Sequence, residues 1–289
     1  MSARIWKAAA AIAAIAALAG GGAIAMEWPL PGAALLRNFS FNDFGRPHPG
    51  VTLAGGGAVL ASAAGEVFFV SSGLGVVPAS GFPSPLGEWV AVDHGNGFVS
   101  VYARLGEVLA GGDRWPRVEA GDPLGSAGVS GWSGAEGALF MLHDRRERRW
   151  VNPAVMLPPL PDALAPQILG IWLLGEDGSM TALAPGLNVP QGRYGIVVAV
   201  EDALSYGMGS GLAPHRVVVS VNGTEVGRLS METITARDGE PIPARRVFAP
   251  FPAIEAGEAW LTRGQALIEI VAQDAAGNSA SVAVQIEVE

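Results

Sequence analysis

The 289-residue chain contains no cysteine. That excludes disulfides, thiolate metal sites, a cysteine nucleophile and a lipidated N-terminal cysteine, and leaves stability to packing alone. Lysine is almost as scarce, with Lys7 the only one, and histidine is confined to His48, His94, His143 and His215. Imidazole chemistry therefore has few residues to draw on. Positive charge is short overall: 18 basic residues against 27 acidic ones give a net charge of -9. That sign is wrong for a surface that displaces counterions from a phosphate backbone, so nucleic acid is not an expected partner. A long segment of 3.6-residue periodicity is also missing, which argues against a helical architecture.

What the chain has is glycine, proline and short apolar runs. Gly 40, Pro 21, a hydrophobic fraction of 49% and a charged fraction of 16% describe a turn-rich globular protein rather than a disordered one. The length suits two domains. The first 25 residues have the anatomy of a secretory leader: Arg4 and Lys7 are basic, Ala8 to Leu18 are apolar, and Ala23-Ile24-Ala25 is a small-residue cleavage site. An uncleaved anchor over Ala8 to Met26 is the alternative, but alanine and glycine give it little drive to stay in a bilayer. Cleavage after Ala25 and no stable membrane span are the expectation. The mature chain would carry 16 arginines against 27 acidic residues, a net charge of -11. A secreted chain without cysteine fits a bacterial periplasm better than an animal extracellular space.

From residue 26 to 157 the runs GGAVLASAAGEVFFVSSGLG, GEWVAVDHGNGFVSVYARL, VEAGDPLGSAGVSGWSG, GALFMLHD and RWVNPAVML are rich in valine and phenylalanine and bounded by glycine, the pattern of strands. His94-Gly95-Asn96-Gly97 sits between two such runs and predicts a hairpin turn. The proline-rich stretch 158–167 cannot continue a ladder and predicts a linker. Beyond it, from 168 to 289, alternation is cleaner. Asn222-Gly223 between RVVVSV and TEVGRL predicts a second hairpin, and about seven strands predict a β-sandwich of immunoglobulin-like type. The fold class is all-β throughout.

The stretches HPGVT, AAGEVFFV, HGNGFVSVYARL, AGDPLGSAGVSGWSG, GALFMLHD and VNP recur in the order and spacing of one family. Residues 26–157 resemble the lysostaphin-type, or LytM-like, zinc metallopeptidases, small β-domains that cut peptide cross-links in bacterial cell walls. The resemblance implies zinc held by the His and Asp of H-x-G-x-D and by the second His of a later H-x-H, with an open position where bound water is acidified. His48 stands at the first position. Thr52 stands at the aspartate and Phe140 at the last histidine, neither of them a zinc ligand at neutral pH. The first histidine of H-x-H falls on Ala138, and the histidine of Y-x-H-L on Arg104, a permanent cation with no base function. Shifting the last motif by one places Leu139 and Met141 there instead, again without a ligand.

The other histidines offer no replacement. His94 belongs to the family's H-G-x-G turn, where it has no metal role. His143, an odd number of residues from Phe140, is expected on the opposite face from the site, and His215 lies in the second domain. Arg104 reads either as a surface charge or as a fork for a peptide carboxylate. Trp132, in the glycine-rich turn, is a candidate to line the groove beside His48 and Arg104. DRRERR at Asp144 to Arg149 predicts a solvated hairpin tip. The Asp274 to Asn278 turn, DAAGN, resembles one found in bacterial immunoglobulin-like modules, where a calcium role is one reading. Neither a phosphate-binding loop nor a G-x-S-x-G elbow is present.

The expectation is a pseudo-metallopeptidase with no cofactor: a degenerate LytM-like envelope protein binding peptidoglycan, or a protein such as a wall hydrolase, through its former active-site groove. Two alternatives stand beside it. One is a zinc endopeptidase of atypical ligation; the other is a structural or assembly role carried by the immunoglobulin-like domain.

Overall fold

The computed structural model describes residues 25–43, 46–72, 84–109, 117–204, 210–237, 240–241, 247–248 and 253–289; the expected leader lies outside these except for Ala25. The described residues are strands and turns, with a single 3-10 turn at Pro153–Val155 and no α-helix among them. None of their helices is long and apolar enough to cross a membrane.

The first sheet is built around the strand Gly137–Asp144. One edge pairs with Phe98–Val108; the other pairs with Gly50–Ala54 along its first half and with Arg149–Val151 along its second. Glu88–Asp93 and Gly65–Ser71 follow beyond Phe98–Val108. Because side chains alternate across a strand, this sheet has two buried faces. Val51, Leu53, Tyr102, Leu105, Ala138, Phe140 and Leu142 pack on one of them. Ala91, Val99, Val101, Ala103, Leu139 and Met141 pack on the other. Gly50 lies where a side chain cannot: a Cβ there would come within 2.2 Å of the Phe140 carbonyl oxygen and 2.6 Å of Met141 Cγ.

The expected HGNG hairpin forms, joining Glu88–Asp93 to Phe98–Val108. His94 anchors it. Its Nδ1 lies 2.7 Å from the Ala64 carbonyl, an acceptor only, so the ring proton sits on that nitrogen. Nε2 lies 2.9 Å from Ser100 Oγ, which is 3.0 Å from the Tyr102 hydroxyl, and Ser62 N donates to that hydroxyl at 2.7 Å. Buried polar atoms must find partners, and this chain supplies them for Ser100 Oγ, the Tyr102 hydroxyl and Ser62 N inside the core.

The second half is a two-sheet sandwich. One sheet contains Gln167–Leu174, Gly192–Ala203 and Ala253–Leu261; the other runs Ser279–Val288, Gly264–Gln273, Arg216–Val221 and Thr224–Ser230. Val198, Val200, Val217, Val219, Ile268, Ile270 and Ile286 fill the space between. The order is that of an immunoglobulin-like sandwich, with no cysteine pair. Asn222 (φ 50°) and Gly223 (φ 77°) both adopt the left-handed conformation that their two-residue hairpin requires.

The halves are interlocked rather than strung together. After Thr224–Ser230 the chain leaves the sandwich, and Thr233–Arg237 adds to the first sheet by pairing with Arg149–Val151. Asn152 closes this junction: its N donates to the Glu232 carbonyl, its Nδ2 to the Met231 carbonyl, and its Oδ1 accepts from Ala154 N. Asn38 clamps the backbone of Ala213 through both its amide atoms, and Leu212 is buried in the first core.

Candidate functional site: the groove around His48

His48 precedes the strand Gly50–Ala54 and is 4% exposed. Its Nε2 lies 3.0 Å from Thr52 Oγ1, so the i, i+4 spacing seen in the sequence does bring the two side chains together. Burial, reinforced by the charges of Arg104 and then Arg37, holds the His48 pKa at about 3 against an ordinary 6.5. The ring is therefore neutral near pH 7.

Arg104 reaches this site through a bulge. Trp89 pairs with Ala103 and Glu88 with Leu105, which leaves Arg104 as the extra residue, in the left-handed conformation at φ 65°. Its N donates to the Leu86 carbonyl at 2.8 Å. Arg37, which stands opposite Thr52 on the neighbouring strand Ala34–Arg37, was not visible as a site residue. It lies upstream of every motif, and nothing in its local sequence marks it.

The register of Gly137–Asp144 corrects the sequence reading. Leu139 pairs with Thr52 and Met141 with Gly50, whereas Ala138 and Phe140 pair with Leu53 and Val51. Paired residues share a face, so Leu139 and Met141, not Ala138 and Phe140, stand on the Thr52 side. Phe140 is fully buried in the opposite core, its ring 5.2 Å from that of Tyr102. His143 is corrected with them: two residues beyond Met141, it projects from the Leu139–Met141 face. It stands at the far end of the strand, edge-on to Trp150 at 4.8 Å.

Trp132 is 68% exposed in the loop before Gly137, and its N donates to the Pro85 carbonyl. Nearby, the rings of Phe69 and Trp89 stack at 4.3 Å. Leu139 and Met141 thus pack with Trp89 on one apolar face, and Trp89 carries the ring of Phe69.

A zinc ion of the kind the sequence resemblance implies does not fit these residues. The positions that would hold it are one imidazole bonded to a threonine hydroxyl, that threonine, and a methionine. Met141 is a soft thioether and Leu139 has no donor. The two guanidinium charges that disfavour a protonated His48 would also repel a dication. Among the described residues, the group of three His, Asp or Glu side chains close enough to share an ion is elsewhere, at Asp162, Asp202 and Asp274.

Comparison with known proteins gives the class of the first domain. Residues 46–153 match the model of Peptidase family M23, and a separate family model matches residues 165–289. No curated protein matches the chain. Among solved structures it is similar to the SpoIIQ–SpoIIIAH pore-forming complex (19% identity, 47% of this chain and 92% of that one, TM-score 0.38). It is similar also to the catalytic domain of the prophage-encoded M23 protein EnpA from Enterococcus faecalis (22% identity, 43% and 91%, TM-score 0.36). The catalytic domain of lysostaphin from Staphylococcus simulans is a third likeness (18% identity, 37% and 77%, TM-score 0.30). These likenesses concern the fold.

Proposed function

We propose that the chain is a non-catalytic protein of the bacterial envelope, secreted to the periplasm, whose M23 domain binds a peptidic partner instead of cleaving it. One observation carries this reading. At the place where the family holds its metal, His48 is buried, neutral and bonded to Thr52, faced by Leu139 and Met141 and flanked by two arginines. Among the described residues no metal-ligand set stands there to acidify a water, and His48, with its pKa lowered to about 3, is a weak base.

The rim supports binding. An exposed tryptophan, a stacked aromatic pair and an arginine are the side chains that dominate interface energetics, and the Arg104 fork suits a carboxylate such as a stem-peptide acid or a chain terminus. The partner is peptidoglycan or an envelope protein such as a wall hydrolase. Co-sedimentation of the mature protein with purified sacculi, alongside crosslinking in envelope extracts, separates the two. Binding without release of peptide fragments is expected, weakened roughly tenfold or more by Trp132→Ala. Failure to bind either partner, or wild-type binding by Trp132→Ala and Arg104→Ala alike, contradicts the reading.

A further inference from the structure

Three carboxylates from distant parts of the chain converge where the linker meets the sandwich. Asp162 comes from the linker, Asp202 from the strand Gly192–Ala203, and Asp274 from the turn after Gly264–Gln273; each offers an oxygen within 4.8 Å of the others. Two oxygens on opposite sides of a calcium ion, each at about 2.4 Å, are about 4.8 Å apart. The spacing is that of ligands around one centre.

Closeness of acids is not by itself a site; the state of Asp202 makes this one. Asp202 is 5% exposed, and its Oδ1 is buried with no hydrogen-bond partner. A buried carboxylate oxygen needs a compensating charge or donor. The carboxylates beside it are Asp274 and Asp162, and a backbone hydrogen bond from Ala203 reaches its side chain without satisfying Oδ1. Asp274 is held in place from outside the cluster: Asn278 donates to Oδ1 through its N and to Oδ2 through its Nδ2, both at 2.8 Å. The same Nδ2 lies 3.4 Å from the Asp162 carbonyl oxygen.

We infer that Asp162, Asp202 and Asp274 form a calcium site that fastens the linker to the sandwich. The donor set consists of oxygens only, which selects a hard cation over zinc or copper. It lies beside the cleft lined by Asn38, Asn152, Leu212 and His215, so the ion would hold the linker in place against the sandwich. The site is independent of the groove around His48, and neither reading requires the other.

The test uses the full mature chain, stripped with a chelator. Equilibrium dialysis against calcium chloride is expected to show one ion per chain, with a dissociation constant on the order of 10⁻⁴–10⁻³ M as in extracellular calcium modules. The thermal midpoint should rise with calcium concentration and respond less to magnesium. Asp202→Asn should weaken binding at least tenfold while folding at least as well as wild type in chelator, because it removes one of three clustered carboxylates. No bound calcium above that concentration range overturns the proposal and assigns Asp202 instead as a protonated acid sharing its hydrogen with a neighbour. Calcium binding unchanged in Asp202→Asn overturns it as well, by placing the ion elsewhere. Should Asp202→Asn fail to fold, wild-type dialysis still decides whether an ion binds, and Asp274→Asn whether it binds here.

Discussion

His48 stands where the family resemblance implies a metal ligand, as a buried imidazole bonded to Thr52. A neutral imidazole in the fold that would take a proton in the unfolded chain makes stability depend on pH. The folded pKa is about 3 and the ordinary value 6.5, so the contribution is intact above pH 6.5 and is lost progressively as pH falls toward 3. The slope is at most about 1.4 kcal/mol per pH unit. His94, His143 and His215 are also shifted downward, mainly by burial, and add in the same direction. Urea unfolding between pH 7 and 4 should therefore show a shallower loss of stability in His48→Asn than in wild type. Equal slopes would mean that His48 is not buried as a neutral ring. The register of the neighbouring strand is testable by grafting. Thr52→Asp with Met141→His should create a zinc site with His48, whereas Thr52→Asp with Phe140→His should not. The latter should also lose roughly 2–5 kcal/mol of stability by forcing a polar ring into the core. Zinc binding by the second pair alone would restore the Phe140 reading.

At the scale of elements, what was legible depended on local chemistry. HGNG and Asn222-Gly223 announce their hairpins because each turn fixes its own backbone. GALFMLHD announces a strand but not its faces: Ala138, Leu139, Phe140, Met141 and Leu142 are all apolar, both faces are buried, and a period of two leaves no mark in such a run. Only pairing with Gly50–Ala54 sets the register. The strand Thr233–Arg237 was illegible for another reason. Its alternation suits any edge, and its partner, Arg149–Val151, is contributed by the other half of the chain. Asn152, read as part of a family motif, turns out to hold that junction with two hydrogen bonds, while its Oδ1 caps the turn that follows. Asn152→Ala should cost about 1–3 kcal/mol by stranding the buried Met231 carbonyl. Hydrogen exchange should then accelerate in 149–151 and 233–237 first. Unchanged protection there would remove the junction's claimed role.

Over the whole molecule, the sequence supports two β-domains of distinct pattern, while the structure adds that they share a sheet, a buried Leu212 and a seam of polar clamps. Such coupling comes from contacts between 79 and 175 residues apart, which no local pattern records. The same holds for Asp162, Asp202 and Asp274. Only the last sits in a recognisable turn, and the cluster exists because the linker returns against the sandwich. The proposed binding function turns on the other site, where His48 is faced by Thr52, Leu139 and Met141. Its most direct test is zinc content of the purified mature protein by mass spectrometry, paired with peptidoglycan cleavage with and without added zinc. The account predicts substoichiometric zinc, indifferent to His48→Ala, and no fragments released in either condition. One zinc per chain, lost together with cleavage in His48→Ala, would contradict it.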